Sequence, residues 1–187
     1  MEEQEKQPIQ APILKNKHTD DLVDHYWGSI NYVAGLIKAS ELKAGLILSF
    51  YGILLNFIYQ SATMAIKNVP NGMVLYILLG LWLCCTVASI YFSIRCFIPR
   101  IEAKYDKNVF FFRDVISKFG TIKEFSKTFY GISRDEDQLF DHLGQQVFII
   151  SKIAAIKFKN VQRSLKFLAL GLLVLLVTIV YYVITTV

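Results

Sequence analysis

The sequence predicts an all-α membrane protein in which three transmembrane helices are prolonged into a cytoplasmic helical stalk or bundle. Three observations carry that expectation. The 187 residues are 54% hydrophobic and only 19% charged, with a mean hydropathy of +0.42, the balance of a membrane protein rather than a soluble domain. The apolar residues gather in three stretches, each of a length suited to a bilayer. Outside those stretches they recur at helical spacing, with no period-2 alternation and no internal repeat.

Taken in order, residues 1–18 read as a disordered Gln/Glu/Pro-rich tail, acidic and polar where a secretory signal would be basic and then apolar. Thr19 and Asp20 offer an N-cap, with Asp21 and Asp24 in a first turn that favours negative charge. Leu22, Tyr26, Val33, Leu36 and Ile37 then make 19–43 an amphipathic helix that leads without a break into the first span, 44–62. The apolar part of that span, Ala44 to Tyr59, has 16 residues, and Gln60 to Ala62 complete it near the interface. Residues 63–72 form an external loop, with Pro70, Asn71 and Gly72 as its turn signal. The second span is 73–95, and Pro99 marks a kink or break beyond it.

The segment 96–166 is the aqueous helical region. Residues 100–119 read as a helix ended by Gly120. Thr121 and Glu124 are spaced as a capping box for a short helix to Tyr130, and 131–135 is a turn. From Asp137 the chain reads as one helix to its end, with Leu139, Leu143, Val147, Ile150, Ala154 and Val161 near heptad spacing. Its last part, 167–187, is the third span: 21 residues whose only ionisable groups are the hydroxyls of Tyr181 and Tyr182. At ~1.5 Å per residue that is about 30 Å, the thickness of the hydrocarbon core. The aqueous extensions of the three spans come to about 24, 20 and 30 residues, or roughly 30–45 Å if helical.

Charge sets the expected sidedness. Lys67 is the one positive residue between 61 and 72, whereas 99–166 carries thirteen. Positive residues stay with the cytoplasm, so the N-terminus and 96–166 are expected inside and the C-terminus outside, in the cell inner membrane. The net charge of +5 does not indicate nucleic acid, because the positive residues crowd beside apolar spans. Cys84, Cys85 and Cys96 all lie in one apolar segment and read as small buried hydrophobes rather than a disulfide framework or a zinc site.

Catalysis finds little support, and no cofactor or metal is expected. Asp21 with His25, and Asp141 with His142 and Asp137 nearby, supply carboxylate and imidazole side chains for a metal site if two helices met; helix-dipole preference already accounts for the carboxylates. In the first span Gly45, Ser49, Gly52 and Asn56 share a face, suited either to packing within one chain or to a homo-oligomer interface. Thr86, Ser89 and Ser93 share a face of the second span, which either lines a pore or bonds to its own backbone. No full charge lies deep within a span, which argues against a dedicated transporter. In the aqueous region basic and aromatic residues interleave: Tyr105, Lys107, Asn108, Phe110, Phe111, Phe112 and Arg113, then Lys157, Phe158 and Lys159. These are ingredients of a nucleotide site, or else of a stalk core with solvated lysines.

The stretch KASELKAGLILSFYGILL from Lys38, Asn108 within KNVFFFRDVISKF, and DHLGQQVFIISKIAAIKFKNVQRSLKFLALGLL with Gln145, Ser151 and Lys157, together resemble the transmembrane effectors of Pycsar, the pyrimidine cyclase anti-phage systems of bacteria. The likeness covers residues 35 to 187 and leaves out the tail and the helix DDLVDHYW. It implies a non-enzymatic effector that responds to cyclic CMP or cyclic UMP made by a partner cyclase and then impairs the bilayer. By that analogy Asn108, Arg113, Lys157 and Lys159 contact the ligand, with Lys38 and Gln145 as further candidates. The alternatives are a membrane scaffold that recruits a cytoplasmic partner or anionic lipid without a small ligand, and a membrane-bound metal hydrolase built on the Asp/His helix ends.

Overall fold

Two helices of unusual length dominate the architecture. The structure, a computed structural model, describes residues 17–65, 73–98 and 107–186. In chain order these form α1 (Lys17–Ala65), α2 (Met73–Phe97), α3 (Phe112–Ser117), α4 (Ile122–Arg134) and α5 (Glu136–Thr186), with no strand among the described residues. α1 has 49 residues and α5 has 51, so each reaches about 75 Å at ~1.5 Å per residue. That is more than twice the thickness of a hydrocarbon core. α2 has 25 residues and is little longer than a span requires.

α5 is the central helix. It packs along α2 and α1, and α4 leans on it. Its inward stripe is Leu143, Gln146, Ile149, Ala154, Lys157, Val161, Ser164 and Val174, the near-heptad spacing of a left-handed helix bundle. α2 answers with Trp82, Cys85, Ser89, Ser93 and Cys96, and α1 with Ser40, Ala44, Ile47 and Tyr51. The three helices close most tightly where Ala44, Cys96 and Val161 meet. On all three the opposite faces are apolar and exposed, as with Leu46, Ile53, Phe57, Leu83, Leu173 and Ile179. α1, α2 and α5 are each long and apolar enough to cross a membrane, yet only 17%, 28% and 17% of their most apolar windows is buried within the chain. So large an apolar surface suits lipid and not water.

The polar half forms a head around the first turns of α5. A capping box opens α4, with the Glu124 N–H donating to Thr121 Oγ1 at 3.3 Å and the Thr121 N–H to Glu124 Oε2 at 3.0 Å. Gly120 precedes it at φ +67°, the left-handed conformation that glycine adopts without a Cβ penalty.

Several local expectations are corrected. α1 is already helical at Lys17, so Thr19 is not its N-cap; its hydroxyl donates instead to Glu136 Oε1 of α5 at 2.9 Å. α4 does not stop at Tyr130 but runs through Gly131 to Arg134, leaving Asp135 as the one non-helical residue before α5. Residues 107–111 are not helical and α3 has six residues, so the second span is not prolonged by a helix through 100–119. Asn108 is the cause: its side chain takes the Phe110 N–H, a local bond that competes with the helical ladder. Cys84 is exposed, unlike Cys85 and Cys96. Most of the N-terminal tail, the Pro70–Gly72 turn, Pro99, Arg100, Lys104 and Tyr105 lie outside the described residues.

Candidate functional site

The residues singled out from sequence separate into a head cluster, a junction cluster and exposed basic groups. In the head, Asn108 is fully buried and its amide is committed on both sides. Its Nδ2 donates to the carbonyl of His142 at 2.7 Å and to Gln145 Oε1 at 3.4 Å, while its Oδ1 accepts from the Phe110 N–H at 2.8 Å. Its backbone N–H donates to Asp114 Oδ2 at 3.2 Å. Asp114, also buried, is paired through Oδ1 with Lys118 at 2.9 Å. Gln145 is held in turn by Asp141, whose Oδ2 accepts from Gln145 Nε2 at 2.8 Å. Asn108 and Gln145 are therefore brought together as the pin that fixes the 107–111 loop to α5.

An aromatic ladder surrounds that pin. Trp27 of α1 meets Phe110 edge-on at 5.7 Å, Phe110 meets Phe129 at 5.7 Å, and Phe125 joins Phe129 to Phe119. Lys107 Nζ stands 6.0 Å from the Phe119 ring centroid. The three successive phenylalanines thus take different roles: Phe110 enters the ladder, Phe111 is buried, and Phe112 is exposed.

The junction cluster lies farther along α5. Gln145 and Lys157 are twelve residues apart, about 18 Å along the helix. Lys157 is not a solvated lysine. It is buried, and its ammonium donates to Glu41 Oε1 of α1 at 2.6 Å and to the Cys96 carbonyl at the end of α2 at 2.7 Å. One side chain so ties together all three long helices. Beyond it, at the α2–α5 contact, lies a buried hydroxyl seam. Ser164 Oγ lies 3.0 Å from Ser89 Oγ and 2.7 Å from Ser93 Oγ, and it donates to the Ser89 carbonyl at 2.8 Å. The Ser89 and Ser93 hydroxyls thus bond to a facing helix rather than to their own backbone. Thr86 Oγ1 and Tyr51 OH continue the seam, and both are buried. Its rim is basic and aromatic: Arg163 lies over Phe92, which stacks on Phe167, and Arg95 donates to the Tyr91 hydroxyl.

Lys38, Arg113 and Lys159 are exposed. Among the described residues no three His, Cys, Asp or Glu side chains are grouped to hold a metal; Asp141 serves Gln145 instead. The structure adds residues that sequence reasoning passed over: Glu41, Asp114, Gln146 and Ser164. Glu41 had a signal, being the one acid between Asp24 and Glu102. Ser164 lies seven residues after Lys157, on the same stripe.

Comparison with known proteins gives this geometry its context. The family described as the Pycsar effector protein domain, PycTM, matches residues 25–184, which adds residues 25–34 of α1 to the stretch covered by the sequence likeness. The chain is 25% identical over 156 residues to the Pycsar effector protein PtPycTM of Propioniciclava tarda, covering 81% of this chain and 75% of that protein. No solved structure matches.

Proposed function

Because the chain belongs to the Pycsar effector family, and so is a transmembrane protein of an anti-phage system, we propose that it is a ligand-gated membrane effector. In this reading cyclic CMP or cyclic UMP, made by a partner cyclase, binds the head on the cytoplasmic side. Binding shifts α1 against α5, and the shift opens the bilayer barrier. The observation that carries the reading is the Lys157 junction. α1 and α5 each run unbroken from the polar head into an apolar span, and where they enter it one buried ammonium ties them to each other and to α2. Rearrangement of the head that moves α1 relative to α5 has to strain or release this tie.

The charge asymmetry between 61–72 and 99–166 supports a cytoplasmic head, the compartment where a cyclase product arises. A cyclic nucleotide joins one negative charge to a planar base. Exposed Arg113 suits the charge, and the Trp27–Phe110 edge suits the base; Lys38 and Lys159 lie about 16 Å and about 21 Å farther along α1 and α5. Asn108, Gln145 and Lys157, whose hydrogen bonds are taken up within the fold, act in this scheme by positioning. The hydroxyl seam from Ser93 to Thr86 is the pathway that hydrates when α2 and α5 part, since hydroxyls accept water where leucines would not. To move the closed–open ratio from 1:99 to 99:1 the ligand must favour the open form by about 5.5 kcal/mol. Several charge-assisted bonds absent from the closed form can supply that.

The test is reconstitution of the full chain in dye-loaded vesicles with cyclic CMP, cyclic UMP and cyclic AMP added in turn. Dye release with a cyclic pyrimidine nucleotide, which is recovered intact because it is a trigger and not a substrate, is the expected result. No release and no binding with any of the three overturns the proposal.

A further inference from the structure

α2 carries no acidic residue, and α5 carries none after Asp141. Where these two helices enter the apolar region, two guanidiniums stand over adjacent rings. Arg95 of α2 lies 5.6 Å from the Tyr91 ring centroid and donates to the Tyr91 hydroxyl at 2.7 Å. Arg163 of α5 lies 5.5 Å from the centroid of Phe92, a ring 5.4 Å from that of Tyr91. Neither cation is paired with a carboxylate among the described residues, and Glu41 of α1 serves Lys157. Cations gathered without a counter-charge make a site for an anion.

The two cations share one flank of the bundle, the side turned from α1. α1 meets α2 through Phe97, 3.9 Å from a Cβ built at Gly45; Phe92 is about 140° round the helix from Phe97, and Arg95 about 160°. On α5, Arg163 is about 120° from Lys157, the residue that reaches α1. Phe92 stacks on Phe167 at 5.7 Å, and the Asn160 amide donates to the Arg95 carbonyl at 3.3 Å, so α2 and α5 join directly beneath the cations. Deeper on the same flank come Leu81, fourteen residues before Arg95, and Leu170, seven after Arg163, both exposed. Seven residues make about two turns, which keeps each leucine below its arginine.

We propose that Arg95 and Arg163 form a headgroup site for an anionic phospholipid in the leaflet on the head side, with the acyl chains lying along Leu81 and Leu170. Guanidinium forks take phosphate oxygens in pairs, the rings beneath hold the forks in place, and basic pockets between spans suit such headgroups. Arg163 lies about 6 Å before the apolar run that begins at Phe167, the depth of lipid phosphate rather than of acyl chains. A free phosphate finds the cations but makes no use of the apolar flank. Arg163 adjoins Ser164, and Arg95 lies two residues from Ser93. A phosphate held by both arginines therefore ties α2 to α5 at the end of the hydroxyl seam, whether or not a nucleotide is bound.

Melting of the full chain in a neutral detergent, alone or with phosphatidylglycerol, phosphatidylcholine or inorganic phosphate, tests the site. The parent is expected to gain about 3 °C or more with phosphatidylglycerol and nothing with the other two. Arg95→Gln combined with Arg163→Gln abolishes that gain. Lysine at both positions keeps the charge without the fork and loses most of it. Lys123→Gln combined with Lys127→Gln removes the same charge from the exposed side of α4 and leaves the gain intact. A parent unmoved by phosphatidylglycerol overturns the proposal, as does a gain that survives in the glutamine pair. A gain kept in full by the lysine pair overturns it in favour of diffuse surface charge, and an equal gain from inorganic phosphate overturns the lipid assignment.

Discussion

The ion pair between Lys157 and Glu41 is asymmetric, and the asymmetry can be measured. The Lys157 side chain is 6% exposed and that of Glu41 is 39% exposed. Lys157→Met leaves a carboxylate that water can reach, so the loss approaches that of a surface pair, about 1 kcal/mol. Glu41→Leu leaves an ammonium in the bundle with the Cys96 carbonyl as its remaining bond, and stranding a buried charge costs about 3–5 kcal/mol. At roughly 2–4 °C per kcal/mol for a chain of this size, the midpoints fall by about 3 °C and about 10 °C. The double variant replaces the pair with apolar side chains of similar volume and returns close to the parent, as apolar replacements of buried pairs commonly do. Circular dichroism melts in one detergent, read as a double-mutant cycle, give the coupling directly. Vesicles supply the functional half: Glu41→Leu leaks without nucleotide, and the double variant holds its dye. Equal losses in the two single variants, a reversed order, or a double variant as unstable as Glu41→Leu would refute the reasoning.

Three shorter predictions address the rest of the molecule. With Cys84, Cys85 and Cys96 replaced by alanine, Ser93→Cys and Ser164→Cys cross-link under mild oxidation, since their side-chain oxygens lie 2.7 Å apart; the locked protein fails to release dye with nucleotide, and reduction restores release. Asn108→Ala frees the 107–111 loop and strands the His142 carbonyl, costing roughly 2–3 kcal/mol, and amide hydrogen exchange rises across residues 107–118 while the spans stay protected. Gly120→Ala puts a Cβ at a residue with φ +67° and against the Glu124 carboxylate, so it disrupts the capping box and lowers stability by about 1–2 kcal/mol, read as faster exchange in the first turn of α4.

What the sequence disclosed and what it withheld divide by the range of the interaction. The spans, the unbroken last helix and the Thr121–Glu124 box depend on composition or on neighbours within one turn, and each is present in the structure. The helix expected over 100–119 is reduced, where it can be described, to α3, with 107–111 held out of it by Asn108, whose anchors lie 34 and 37 residues away on α5, beyond any local pattern. Lys157 is the instructive case. Spacing from Ala154 and Val161 places it on the inward stripe, while its chemical type argues for solvent. Its position prevailed because Glu41, 116 residues earlier, supplies the opposite charge. Ser89 and Ser93 bond to Ser164, at separations of 75 and 71 residues, so the choice between pore lining and self-bonding could not be made from one helix.

α5 is also the part of the molecule best suited to carry a displacement from head to span. Between Gly144 and Gly171 it has neither glycine nor proline, and kinks concentrate at such residues. Gln146 and Ser164 therefore move as parts of one rod about 27 Å long, with Lys157 between them. α1, with Gly35, Gly45 and Gly52 in its interior, is the more compliant partner. A break placed midway in the rod separates transmission from binding. Ala155 is exposed, so Ala155→Pro removes little packing, but it deletes one helical hydrogen bond and forces a kink. Head and spans each keep their own contacts. The variant is expected to bind cyclic nucleotide within about threefold of the parent, less than ~1 kcal/mol, and to release no dye in the vesicle assay. Retained binding confirms that the head is folded, so lost release is assigned to lost coupling. Parent-like release from a kinked α5 would mean that the signal travels by α1 alone, and the rigid-rod argument would fail.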